Sequence, residues 1–170
     1  MAVGASALVL LGAEGLPPTS TSEVAVYGAQ RRRPSTPAGR PPVTLNSCTP
    51  SLNAASPNAD GSVDVVVRQF DSSMRTVLVG GFRVAAPEWA LAQAVPELPH
   101  RNAVAVMDSM LRRGLIDLRC LDRAHLLARG RRGVARTHEW WSEADGRAES
   151  PLESFGRVDC IEGGLPPDEL

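Results

Sequence analysis

Between Ser150 and Gly164 the sequence leaves the backbone little choice. Ser150 is a good N-cap, because its hydroxyl can accept a backbone N–H that the first helical turn leaves without a partner. Pro151 follows at the first helical position, where a missing N–H costs nothing. Glu153 stands three residues after Ser150, the spacing of a capping box. Gly163-Gly164 closes the helix, and Pro166-Pro167 prevents a restart. Leu152, Phe155, Val158 and Ile161 give it an apolar stripe. The chain stops soon after, at Leu170, so the expectation is a helix whose apolar side was meant for an absent neighbour.

The other basic and acidic residues set limits on function. All 18 basic residues are arginine, and the net charge is −1, which gives the whole chain no nucleic-acid signature. The distribution is uneven. Residues 112–136 hold eight arginines against Asp117 and Asp122, whereas residues 137–170 hold nine acids against Arg147 and Arg157. The first reading is that the two blocks attract each other in the fold. The sharper one is a basic face for phosphate, carried by Arg129, Arg131, Arg132 and Arg136. Cys48, Cys120 and Cys160 show no metal-ligand spacing, so no metal site is expected, and a reduced cytoplasmic protein fits them best. No apolar run approaches the roughly 18 residues of a membrane span, so no membrane partner is expected.

Taken in order, residues 5–12 read as a short helix closed by Gly12, with little to pack on. Strands are expected near 23–28, 63–70, 76–79 and 82–85, the last two joined by Gly80-Gly81 in a two-residue hairpin. Arg31-Arg32-Arg33 reads as a solvated loop. Residues 34–62, rich in Pro, Ser, Asn and Gly, read as a flexible insertion. Helices follow from Pro87, over 101–113 and over 118–128, and Val134, His138 and Trp141 space out one more. Ala86 is a poor cap for the first of these. The fold class is therefore α+β: a small, mostly antiparallel sheet over about 23–86, then an all-helical segment. The expected division is a β-rich half over 1–86, a helical segment over 87–146 and a last helix in 147–170.

The histidines, His100, His125 and His138, stand apart in sequence, and no Ser-His-Asp or Cys-His arrangement suggests itself. His138 reads as a core or boundary residue. Trp140 and Trp141 must face different ways, with Arg136 four residues before Trp140 as a cation–π partner.

Several segments resemble a known family. Leu10-Leu11-Gly12 with Glu14-Gly15-Leu16-Pro17, the Val77–Pro87 hairpin, and Leu111-Arg112-Arg113-Gly114-Leu115 are similar to the middle of actinobacterial AbiEi-like proteins, the antitoxins of type IV toxin–antitoxin systems. Arg147-Ala148-Glu149-Ser150-Pro151-Leu152-Glu153-Ser154 resembles the start of their appended domain, which is similar to very-short-patch-repair endonucleases. The resemblance implies a winged-helix domain before this region and a nuclease-like sheet after it. It gives Glu153 the place of a glutamate that helps hold Mg²⁺, a cofactor implied only where that domain is complete. One glutamate cannot do that alone, since hydrolysis needs several convergent carboxylates. The expectation is thus a non-enzymatic fragment or truncated paralogue of an AbiEi-like antitoxin, acting as an interaction module. Its implied partners are DNA or a cognate toxin. A DNA-associated regulator using the 112–136 face, and part of an endonuclease completed elsewhere, are the alternatives. Ser150, Pro151 and Glu153 have a structural capping role in any of these.

Overall fold

Residues 1–3, which have no role in the sequence reading, form the middle of a sheet in the computed structural model, which describes residues 1–18, 21–26, 64–69 and 73–165. On one side Ala2 N–H donates to Arg83 O at 3.0 Å, and Ala85 N–H donates to Ala2 O at 2.9 Å. On the other, Val3 N–H reaches Glu23 O at 3.2 Å, and Ala25 N–H reaches Met1 O at 2.9 Å. Ala2 thereby joins β1 (Thr21–Val26) to β4 (Phe82–Ala85). The outer strands are β2 (Asp64–Gln69), beside β1, and β3 (Thr76–Val79), beside β4.

The α+β class holds, but the strand directions are mixed. β1 and β2 pair in parallel, Thr21 opposite Asp64 through Val26 opposite Gln69. A parallel pair needs a long connection, and residues 27–63 are long enough to make one. The expected insertion at 34–62 and the arginine triplet at 31–33 lie outside the described residues. β3 and β4 form the expected antiparallel hairpin. Gly80 and Gly81 have φ of 55° and 84°, the left-handed values that a tight hairpin turn requires at both central positions.

Helix α1 (Gly4–Leu11) ends at Gly12 as expected. It is not without a support, however: Ala7 and Leu8 are fully buried, packed against α2 (Pro87–Ala94). Its first N–H groups are taken by side chains from elsewhere. Gly4 N–H donates to Gln93 Oε1 at 2.9 Å, and Ala5 N–H donates to Glu23 Oε2 at 2.6 Å. A carboxylate at a helix N-terminus also suits the helix dipole. Glu23 is shared with Arg68 of β2, whose guanidinium bridges to Glu97 as well. The bond to Glu97, more than that to Glu23, holds the Arg68 pKa above its ordinary value.

The helical part continues through a 3-10 turn (Val95–Glu97), α3 (His100–Arg112) and α4 (Leu118–Ala128) to a second 3-10 turn (Val134–Thr137) and α5 (Pro151–Glu162). Helix α2 has no side-chain cap at Ala86 and relies on Pro87. Helix α4 is capped by Asp117, whose carboxylate accepts from Cys120 N–H at 2.7 Å. The apolar spacing of Val134, His138 and Trp141 does not produce an α-helix. Thr137 Oγ1 donates to Val134 O at 3.0 Å and Ser142 Oγ to Glu139 O at 2.7 Å, so side chains satisfy the carbonyls locally. The arginines before this segment and the glutamates after it oppose a helix dipole, which removes the gain from extending it. Trp141 is buried and Trp140 half-buried, as their adjacency requires, but His138 is exposed.

Gly4 is the tightest point of this assembly. It sits at φ 53°, and a Cβ there would lie 1.9 Å from Glu23 Oε2. Gly156, inside α5, has open space around it. Gly4→Ala is expected to lower the unfolding free energy by about 2 kcal/mol or more, and Gly156→Ala to raise it by about 0.5–1 kcal/mol. Urea denaturation of both variants measures the contrast.

Candidate functional site

Helix α3 is the centre of the helical half. Residues 102–110 are buried in sequence, so polar side chains among them must find partners inside the protein. Asn102 Nδ2 donates to Gly15 O at 2.7 Å, and Ser109 Oγ accepts from Glu14 N–H at 2.9 Å. Asp108 is the most demanding, with 1% of its surface exposed. Ser154 Oγ donates to its Oδ2 at 2.6 Å, Arg157 Nη2 to the same oxygen at 2.5 Å, and Asp145 N–H to Oδ1 at 2.6 Å. Arg157 also donates to the carbonyl of Glu143. Burial pushes the Asp108 carboxyl above its ordinary value, against the opposing pull of Ser154, the Asp145 N–H and Arg157.

This knot decides which side of α5 faces inward. The apolar stripe predicts Leu152, Phe155, Val158 and Ile161. In the structure Val158 is buried and Phe155 and Ile161 are half-buried, Ser154 and Arg157 are buried beside them, and Leu152 is 78% exposed. The carboxylate on α3 needs a cation and a hydroxyl, and only the 154–157 side of α5 offers them. The helix expected to lack a neighbour has one in α3. Phe155 adds a contact, with the Arg101 guanidinium 5.4 Å from its ring centre.

Glu153 is exposed, on the side of α5 away from α3. Ser150 Oγ accepts from Glu153 N–H at 3.3 Å, and Glu153 Oε2 accepts from the Glu149 N–H at 2.5 Å. Its carboxylate therefore closes the start of the helix, one residue earlier than a standard capping box. No group of three or more His, Cys, Asp or Glu among the described residues is placed to hold a metal ion.

The four arginines expected on a phosphate-binding face have separate fates. Arg129 and Arg132 are exposed at and after the end of α4, and Arg131 is half-buried. Arg136 is built into the fold. It donates to Pro96 O at 3.1 Å and Leu98 O at 3.3 Å and lies 5.6 Å from the Trp140 ring centre, the expected cation–π pair. Arg112 and Arg113 turn to Glu14 rather than to the acidic block.

The histidines, separate in sequence, are brought into two clusters. His100, at the start of α3, reaches Glu162 with Nδ1 at 2.7 Å and Glu143 with Nε2 at 2.8 Å, and stacks on Trp140 at 4.5 Å. His125 of α4 faces His138, Nε2 to Nδ1, at 3.1 Å, and stacks on Trp141 at 5.2 Å. Burial, then the proximity of His138 and Arg129, holds His125 below its usual pKa. A separate cleft of about 540 Å³ between α2 and α4 contains Glu88, Cys120 and Arg123. Burial, then the nearby Glu88 carboxylate, raises the Cys120 thiol pKa above its ordinary value.

Removing Arg157 strands Asp108. Arg157→Ala is expected to cost about 3–5 kcal/mol in a denaturation experiment, as for one partner of a buried pair. The pH dependence has a defined sign. The folded pKa of Asp108 lies above its unfolded value, so its contribution to stability is fully present below the unfolded value and is lost as pH rises through the folded one. In Asp108→Asn that loss is absent. Stability of this variant, measured from about pH 4 upward, should rise more steeply with pH than that of the wild type.

Two curated proteins of Mycobacterium tuberculosis are similar to the chain: uncharacterized protein Rv2248 of strain ATCC 25618 / H37Rv, and uncharacterized protein MT2308 of strain CDC 1551 / Oshkosh. Each is 38% identical over 96 residues, which is 54% of this chain and 34% of the relative. The chain thus spans about a third of the length of the curated relatives it matches. No family model and no solved structure matches it.

Proposed function

We propose that this chain is a non-enzymatic interaction module of an AbiEi-like antitoxin or transcriptional regulator, working in the cytoplasm. What supports the reading is the use to which its acidic side chains are put. Asp108 is held by Arg157 and Ser154, Asp145 by Arg147, Glu143 and Glu162 by His100, and Glu153 by the start of its own helix. Asp108 and Glu162 tie α5 to α3, Asp145 and Glu153 close local turns, and these carboxylates are not gathered around a point where a phosphodiester could react. Ser154 and Arg157 join α5 to the middle of α3, and Glu162 joins the end of α5 to His100 at the start of α3, which suits a part that presents surfaces to other molecules. Among the described residues no helix is long and apolar enough to cross a membrane.

A second reading is a DNA-associated regulator. It is favoured by Arg119, Arg123, Arg129 and Arg132, all exposed along α4 and the turn after it. Phosphate contacts of this kind are sequence-independent and weaken steeply with salt.

One set of assays separates the readings. Purified protein is expected to leave plasmid DNA intact in the presence of Mg²⁺ or Mn²⁺. Metal-dependent cleavage that disappears in Glu153→Ala would overturn the non-enzymatic reading and favour an endonuclease. Low-salt gel-shift binding with a strong salt dependence, weakened by Arg129→Ala/Arg132→Ala, would move the conclusion to the DNA-associated regulator.

A further inference from the structure

The outer strand β2 carries three consecutive valines, Val65, Val66 and Val67, which are 56%, 39% and 59% exposed. Successive side chains of a strand point to opposite faces. Val66 stands opposite Glu23, on the face where Glu23 caps α1, and Val65 and Val67 belong to the other face. Apolar surface is therefore open on both faces of the strand. Among the described residues β1 is the one strand paired with β2, so the backbone on the far side of β2 meets no strand.

Sheets usually protect such an edge with a proline, a charge or a very short strand. Residues 65–67 carry no proline and no charge, and β2 has six residues where β3, at the opposite edge, has four. The strand also matches itself when one copy is reversed. Antiparallel pairing centred on Val66 sets Val65 opposite Val67 of the second copy, Val66 opposite its own equivalent, and Asp64 opposite Arg68. Apolar and opposite-charge pairs across strands both favour pairing. A slip of one residue in either direction sets a charged residue, Arg68 or Asp64, opposite a valine. The matched register is two-fold symmetric, so it closes at two copies.

We propose that two copies of this chain pair through β2, edge to edge and antiparallel, and so join their sheets into one. The occupant of the open edge is the same strand of a second copy, chosen by the match of valine to valine and of aspartate to arginine. One strand per copy is a small contact beside the roughly 800 Å² per partner of a standard interface, so the pairing is weak and depends on concentration. This inference does not depend on the antitoxin reading.

The test is sedimentation equilibrium of the full chain, in which a monomer–dimer equilibrium should appear between about 10 μM and about 1 mM. Val66→Lys sets two cations opposite each other at the centre of the contact and should weaken association by at least about tenfold. Asp64→Arg, which sets like charges opposite at both ends, should weaken it too. Leu78→Lys, on the other outer strand, should leave it unchanged. Hydrogen exchange of the wild type gives a readout that needs no variant: the amides of residues 64–69 should gain protection as concentration rises, and those of residues 76–79 should not. A monomer throughout the range, association that Val66→Lys does not weaken, association lost in Leu78→Lys, or equal protection of the β2 amides at both ends of the range would overturn the proposal.

Discussion

A carboxylate sealed inside a helical protein has to be met by donors, and Asp108 is met from three directions. Ser154 and Arg157 come from one turn of α5, and the Asp145 N–H comes from the loop before it. A buried ion pair is not in itself a large source of stability, because desolvating two charges offsets most of their attraction. Its effect here is on choice. An α5 rotated to bury Leu152 would leave Asp108 buried without a cation, which costs more than exposing Leu152. The same demand places residues 143–150, since Arg157 also takes the Glu143 carbonyl. His100 then finds Glu143 and Glu162 at the two ends of that loop and helix. The order of constraint runs from one aspartate to the docking of a helix and then to a histidine cluster.

The sheet depends on a similar economy at the other end of the chain. Residues 1–3 place Val3 in the core, and their backbone groups join two strand pairs that would otherwise be separate. Glu23 then serves two elements, capping α1 and holding Arg68 of β2. Through Arg68 and Glu97 the sheet is attached to the connection between α2 and α3. Glu23, Arg68, Glu97, Asp108 and Arg157 are such connectors, which is the physical basis for reading the chain as a platform.

Much of the helical half was legible in the sequence, because helix ends are local. Pro87, Gly114, Gly130, Ser150-Pro151 and Gly163 mark boundaries within a few residues, and Gly80-Gly81 specifies its turn by backbone sterics alone. What was not legible depends on partners distant in sequence. Asp108 and Arg157 are 49 residues apart, and His125 and His138 are 13 apart with a change of direction between them. A hint was available for the first: Asp108 directly follows the apolar run Ala103–Met107 on α3, and an acid there must be paired. No such hint marked residues 1–3, since three residues carry no periodicity. The parallel pairing of β1 and β2 was hidden for another reason, because alternation shows a strand but not its direction. In the 134–141 segment the apolar spacing points to a helix, whereas the charge order, arginines before glutamates, opposes one.

The central claim is that α5 belongs to one cooperative body with α3, joined through Asp108. Amide hydrogen exchange of the native protein tests it most directly. The amides of residues 155–161 are expected to be protected to a similar degree as those of residues 104–111, and both to lose protection together in Arg157→Ala. Fast exchange throughout α5 beside a slowly exchanging α3 in the wild type would contradict it, and would make α5 a separately folding appendage.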